Sequence, residues 1–156
     1  MRAILSALLM LSICTMTEIA RADYQDNGNG TVTDLSTNLM WQKCTAPSAG
    51  VSCGSVTPLP YTWDNALAYC NGLSLAGHTN WRLPNVKEMH SIVDVVKNAN
   101  PTINTGYFTD TQADSYWSAT TFVDTTSMAW YVNFSIGVAM TSPVNKLDPQ
   151  YVRCVR

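Results

Sequence analysis

Apolar residues fall in three spacings along this chain, and each predicts a different element. From Ala3 to Cys14 they run almost continuously behind Met1-Arg2, and Ala20-Arg21-Ala22 then sets small residues around a larger one. That layout predicts an export signal cleaved after Ala22, residues 1–22, with a single folded domain over residues 23–156. Further on, Trp63, Ala66, Leu67 and Cys70 share one face of a helix that Thr62 can cap and Gly72 can end. Val86, Met89, Val93 and Val96 recur at helical spacing, a core-facing stripe on a second helix. Asn85 and Glu88 give that helix a capping-box start behind Pro84, and Asn98 to Pro101 stop it. Late in the chain, Met128, Trp130, Val132 and Phe134 alternate with Ala129, Tyr131 and Asn133, the period of a half-buried strand.

Turn chemistry fills in the remainder. Asp26-Asn27-Gly28-Asn29-Gly30 separates Tyr24 from the extended run Thr31-Val32-Thr33, and Ser36-Thr37-Asn38 precedes Leu39-Met40-Trp41. The Pro-, Gly- and Ser-rich stretch from Thr45 to Pro60 reads as a loop. Ser115 to Ala119, Val138 to Thr141 and Tyr151 to Val155 are expected strands. Helices early and strands late make an α+β domain.

Composition narrows the function classes. The 156 residues are 46% hydrophobic and only 13% charged, so a packed core is expected and disorder is not. Beyond residue 22 there are seven Lys/Arg against ten Asp/Glu, a formal charge of −3. That balance opposes a phosphate-binding surface, so no nucleic-acid partner is expected. The mature chain contains no apolar run long enough to span a bilayer. Cys14 leaves with the signal, and Cys44, Cys53, Cys70 and Cys154 remain. Four Cys in an exported chain imply two disulfides with three possible connectivities. Their spacing suggests a local Cys44–Cys53 clip and a long-range Cys70–Cys154 staple, worth about 2.7 and 4.6 kcal/mol in a chain-entropy account. A zinc site is disfavoured because no C-x-x-C pair exists.

Four sequence blocks carry a family resemblance. Asp26-Asn27-Gly28-Asn29-Gly30-Thr31-Val32-Thr33-Asp34 with Leu39-Met40-Trp41-Gln42-Lys43 opens the series. Asn80-Trp81-Arg82-Leu83-Pro84-Asn85-Val86-Lys87-Glu88, Tyr116-Trp117-Ser118 and Tyr151-Val152-Arg153-Cys154-Val155-Arg156 follow in order. Together they resemble the Lcl C-terminal domain family, named for a Legionella collagen-like adhesin. Arg82-Leu83-Pro84 and the Arg-Cys-Val-Arg ending are also similar to formylglycine-generating-enzyme-like domains. The resemblance implies a C-type-lectin-like fold, two helices packed on a twisted, mainly antiparallel sheet, with Cys70–Cys154 tying helix to last strand. It also implies a bacterial, secreted, periplasmic or cell-surface module for adhesion or carbohydrate binding, whose partner is an extracellular glycan or surface protein. The namesake's sulfated-polymer binding transfers poorly, because Lys43, Arg82, Lys87, Lys97, Lys146, Arg153 and Arg156 are scattered and outnumbered. Without collagen repeats, multivalency requires a homo-oligomer.

Chemistry-bearing residues are sparse. His78 and His90 lack any local nucleophile or H-E-x-x-H pattern, and the four Cys leave no reactive thiol, so no enzyme activity and no cofactor are expected. The rival readings are an enzyme on the formylglycine-generating-like fold and a structural subunit of a surface appendage. Trp41, Trp81, Trp117 and Trp130 are expected in the core. A ligand surface is expected in the loops between Asn98 and Met128, with Tyr107, Asp110, Asp114 and Asp124 as its binding residues.

Asp26, Asn27, Asn29 and Asp34 present oxygen atoms, but an EF-hand register beginning at Gln25 lacks the first acid and places Ser36 where a Glu belongs. No metal is therefore expected. The melting temperature should be the same in millimolar calcium and in chelator; a rise with calcium that chelator reverses would refute this reading of the turn.

Overall fold

A computed structural model describes residues 23–135 and 141–156. The expected leader lies outside the described residues, as do positions 138–140 of one expected strand. The domain is α+β, with two helices, two antiparallel three-stranded sheets and two disulfides. Strands do not come only late, as expected. Three precede the helices: β1 (Tyr24–Asp26), β2 (Thr31–Asp34) and β3 (Leu39–Gln42).

The first sheet is formed by its turns. Gly28 and Gly30 adopt positive φ, the Asp26 carboxylate accepts from the Gly28 N–H, and Asn27 donates to the Thr31 and Thr33 hydroxyls. Gly30 is also a packing requirement, because a Cβ there would lie 2.6 Å from the Gly50 carbonyl. Between β2 and β3, the Asp34 carboxylate accepts from the Ser36 N–H and from both the Ser36 and Thr37 hydroxyls, while Asn38 takes a left-handed conformation.

Helix α1 (Trp63–Gly72) has Thr62 at its N-cap, although the Thr62 hydroxyl makes no capping bond. Helix α2 (Val86–Ser91) starts with the expected capping box: the Asn85 side chain accepts from Lys87 and Glu88 N–H groups, and Glu88 accepts from Asn85 N–H. Glu88 also takes a two-pronged ion pair from Arg82 at 2.7 Å, which holds its carboxyl below the usual range.

That helix is shorter than the apolar stripe predicts. Met89 is buried, but Val96 is 66% exposed. After Ser91 the chain leaves the helix, and Ile92 takes the buried place expected of the later valines. The Asp94 N–H donates to the Thr102 carbonyl instead of continuing the helical ladder. Four β-branched residues within Ile92–Val96 favour that exit.

In the second sheet, β4 (Ser115–Thr121) pairs with β5 (Met128–Asn133), and β5 with β6 (Thr141–Asn145). A register shift between Trp117 and Thr121 breaks the expected alternation on β5, where Ala129 and Val132 are the buried positions. Trp130 is only half-buried, its ring set edge-on to Phe122, whereas Trp41, Trp81 and Trp117 are core.

Neighbouring residues of β4 serve opposite cores. Tyr116 joins Trp41, Met89, Phe108 and Val132 on the α2 side; Trp117 joins Ala66, Cys70, Leu83 and Ala129 on the α1 side. The expected last strand is instead a series of isolated bridges, parallel at Tyr151 with Tyr116 and antiparallel at Val155 with both Trp41 and Arg82. Met40 and Arg156 exchange both backbone hydrogen bonds, and Gln42 N–H donates to the Cys154 carbonyl. The C-terminal segment thus joins both sheets.

Both disulfides pair as the spacing suggests, Cys44 with Cys53 and Cys70 with Cys154. Since Cys70–Cys154 closes 84 residues of separation and lies fully buried, Cys154→Ser should cost about 2–5 kcal/mol. Urea denaturation measures it, and an unchanged midpoint would contradict it.

Candidate ligand-binding site

The run between α2 and β4 is the longest irregular stretch among the described residues, and buried anchors hold it. Ile103 and Phe108 are fully buried, Thr102 N–H donates to the Phe134 carbonyl, and the N–H groups of Tyr107 and Phe108 both donate to the Asn104 carbonyl. Tyr24 packs against the rings of Tyr107 and Phe108 at 5.5 and 5.4 Å. Burial, reinforced by the Asp34 and Asp94 carboxylates, raises the Tyr24 phenol well above its ordinary pKa, so it stays neutral.

A surface hollow of about 220 Å³ opens in this stretch, lined by Asp94, Val96, Lys97, Ile103, Asn104 and Thr105. The Lys97 ammonium donates to the Ile103 carbonyl at 2.7 Å and to the Thr105 hydroxyl at 3.4 Å. One Asp94 oxygen accepts from Val96 N–H, and the Asn104 side-chain oxygen accepts from Gly106 N–H. Among the described residues, the second Asp94 oxygen and the Asn104 amide nitrogen have no protein partner. The hollow is therefore lined by a carboxylate, an amide, an ammonium and an exposed valine.

The four residues expected to bind ligand do not converge. Tyr107 is half-buried against Tyr24 at the edge of this stretch. Asp110 is turned inward: both its oxygens accept from Thr45 N–H at 3.0 Å, and it lies 3.6 Å from the buried Arg153 guanidinium. Asp114 is exposed and accepts from Ser115 N–H, just before β4. Asp124 is exposed just beyond the other end of that seven-residue strand, on the order of 20 Å away. Asp94, Lys97 and Asn104 escaped the sequence reading, two of them because they fell inside or beside an assumed helix. The β-branched run leading into Asn98-Ala99-Asn100-Pro101 was the available signal that this backbone is a loop.

Arg153 organises the inward side. Its side chain is 1% exposed and donates to the carbonyls of Gln42 and Lys43 and to the hydroxyls of Thr45 and Thr111, while its plane lies over Phe108. The Tyr116 hydroxyl bonds the Thr45 hydroxyl and accepts from Gln112 N–H, and burial raises its pKa. Cys44, Cys53 and Asp110 are close enough to suggest a metal cluster, but the two sulfurs bond each other and Asp110 serves Thr45 and Arg153. In the Asp26–Asp34 turn the side chains are likewise engaged, Asp26 with Lys43 at 2.7 Å. Neither the His78 nor the His90 imidazole makes a hydrogen bond among the described residues.

The family model of the Lcl C-terminal domain matches residues 30–156. No curated protein matches the chain significantly.

The contrast among the acids is measurable. Asp110→Ala should destabilise by about 3–5 kcal/mol, because it leaves a buried guanidinium without its carboxylate. Asp114→Ala and Asp124→Ala should each shift stability by no more than about 0.5 kcal/mol. Equal urea midpoints for all three would contradict the inward role of Asp110.

Proposed function

We propose, from the premise that this chain belongs to the Lcl C-terminal domain family, that it is an exported, non-catalytic binding module for an extracellular glycan or protein. The observation that carries this reading is the hollow beside Lys97, where polar atoms stay unpartnered on a loop fixed by buried anchors. Two disulfides suit an oxidising compartment, and residues 1–22 have the layout of a leader. The reading places the protein in the periplasm, at the cell surface or in the medium. No helix among the described residues is long and apolar enough to cross a membrane.

A C-type-lectin-like fold is part of the proposal. Helices serving opposite faces of β4, and a disulfide from α1 to the C-terminal segment, support it.

A sulfated polymer is a poor ligand on this reading. Lys43 and Arg82 are ion-paired, Arg153 is buried, Arg156 donates to Asn80, and the Lys146 ammonium lies 3.9 Å from the Trp63 ring centre. A glycan and protein array with the disulfide-bonded protein tests the proposal, run beside a size measurement. Neutral or cationic ligands should outrank sulfated ones. Sulfated polymers at the head of the ranking, with affinity falling steeply as salt rises from about 50 to about 300 mM and the Debye length shortens from about 14 to about 6 Å, would refute it.

A further inference from the structure

The two disulfides sit in unlike surroundings, which gives them unlike chemistry. Cys70 and Cys154 are both fully buried, packed with Ala66, Leu83 and Trp117. Reaching that bond requires opening the core. Cys44 is also fully buried, but Cys53 is half-buried on a loop whose neighbouring Val51, Ser52, Gly54, Ser55 and Val56 are exposed. We propose that Cys44–Cys53 is a thiol-exchange site, at which a dithiol reduces the clip and releases residues 51–58 while Cys70–Cys154 and the core stay intact.

Little else holds that loop. Gly50 backs onto Gly30 so closely that a Cβ on Gly30 would lie 2.6 Å from its carbonyl, and Leu59 N–H donates to the Ala46 carbonyl. Between those two points, among the described residues, no hydrogen bond joins residues 51–58 to the rest of the domain. The Ser55 hydroxyl bonds only the Ser52 carbonyl, within the loop itself. None of the segment is helix or strand. The Cys53 sulfur is therefore its one bonded tie, and once that is broken the loop opens without losing a hydrogen bond to the domain.

Exchange runs at Cys53, because Cys44 is enclosed. A thiolate of the dithiol attacks the Cys53 sulfur and expels the Cys44 sulfur, and the second thiol of the reductant then resolves the mixed disulfide at Cys53. The S–S bond of the clip breaks and one forms in the reductant, while two electrons and two protons pass to Cys44 and Cys53 as thiols. The Gly50 carbonyl, 3.6 Å from the Cys44 sulfur, is in place to accept from the thiol so formed.

The test incubates the oxidised full protein with graded dithiothreitol, traps free thiols with N-ethylmaleimide in urea and maps them by mass. Cys44 and Cys53 should be labelled together, at least about tenfold faster than Cys70 and Cys154. The Cys44→Ser/Cys53→Ser double variant reports on the loop without reductant. It should keep a cooperative melting transition, and thermolysin should cut it before Val51 or Val56 at least about tenfold faster than the oxidised protein. Equal labelling rates for the two pairs, or Cys70 and Cys154 first, would overturn the exchange site. A double variant that resists thermolysin as the oxidised protein does would overturn release of the loop. So would one that melts without cooperativity, since the core would then depend on the clip.

Discussion

The buried guanidinium of Arg153 is the constraint on which the rest of this domain depends. Moving a cation out of water costs several kcal/mol unless its hydrogen-bonding capacity is met. Here carbonyls of Gln42 and Lys43, hydroxyls of Thr45 and Thr111, the Asp110 carboxylate and the face of Phe108 surround it. Those partners come from the end of β3, the start of the disulfide loop and the run before β4. One side chain therefore ties the C-terminal segment to two others, residues 42–45 and residues 108–111. The backbone around it adds to this: Tyr151 pairs with β4 while Val155 pairs with Trp41 and Arg82. The buried disulfide at Cys154 adds a covalent tie to α1.

This arrangement explains which polar groups of the run face inward and which do not. Asp110 and Thr45 face the guanidinium and each other, and the Tyr116 hydroxyl closes the set through Thr45 and Gln112. The polar groups around the guanidinium are thus matched, whereas, among the described residues, Trp41 Nε1 and the Thr102 hydroxyl are buried without a hydrogen-bond partner. On the outward side of the same run, Ile103 and Phe108 anchor the backbone from beneath, and Asp94, Lys97 and Asn104 each hold part of the loop while lining the hollow. A loop built this way presents its side chains with little ordering cost on binding.

Much of the fold was legible because its signals are local. The Asx-Gly turn, the Asn85–Glu88 capping box and the two disulfide pairings depend on residues whose chemistry acts over a few positions or on thiols with few choices. What escaped depends on distant partners. Val93 and Val96 fit a helical stripe, yet Thr102 draws the Asp94 N–H out of the ladder and ends the helix early. Period-two counting on β5 misassigned Ala129, because the register shift opposite it on β4 has no signature in β5 itself. Tyr151 to Val155 has strand composition, but its partners alternate between two sheets and it never forms one continuous ladder. Asp110 looked like a loop acid because its cation lies 43 positions later in the chain. For the candidate site, the expected loops from Asn98 to Met128 include Ile103, Asn104 and Thr105 of the hollow but not Asp94, Val96 or Lys97, which the assumed helix had absorbed.

The same distribution of partners bears on what kind of ligand the proposed module selects. Long-range steering needs unpaired charge of one sign gathered on one face. Here Lys43 answers Asp26, Arg82 answers Glu88 and Arg153 answers Asp110, each within 4 Å. The Lys146 ammonium is held between the Trp63 ring and the Thr121 hydroxyl. Lys97 is bonded to the Ile103 carbonyl and Lys87 is exposed on α2, so a polyanion would meet few free cations and an excess of carboxylates. Selection on this surface has to come from directed hydrogen bonds and shape, which act only at contact and are weakly screened by salt. A loop anchored by buried Ile103 and Phe108, the latter packed under the Arg153 guanidinium, meets that requirement.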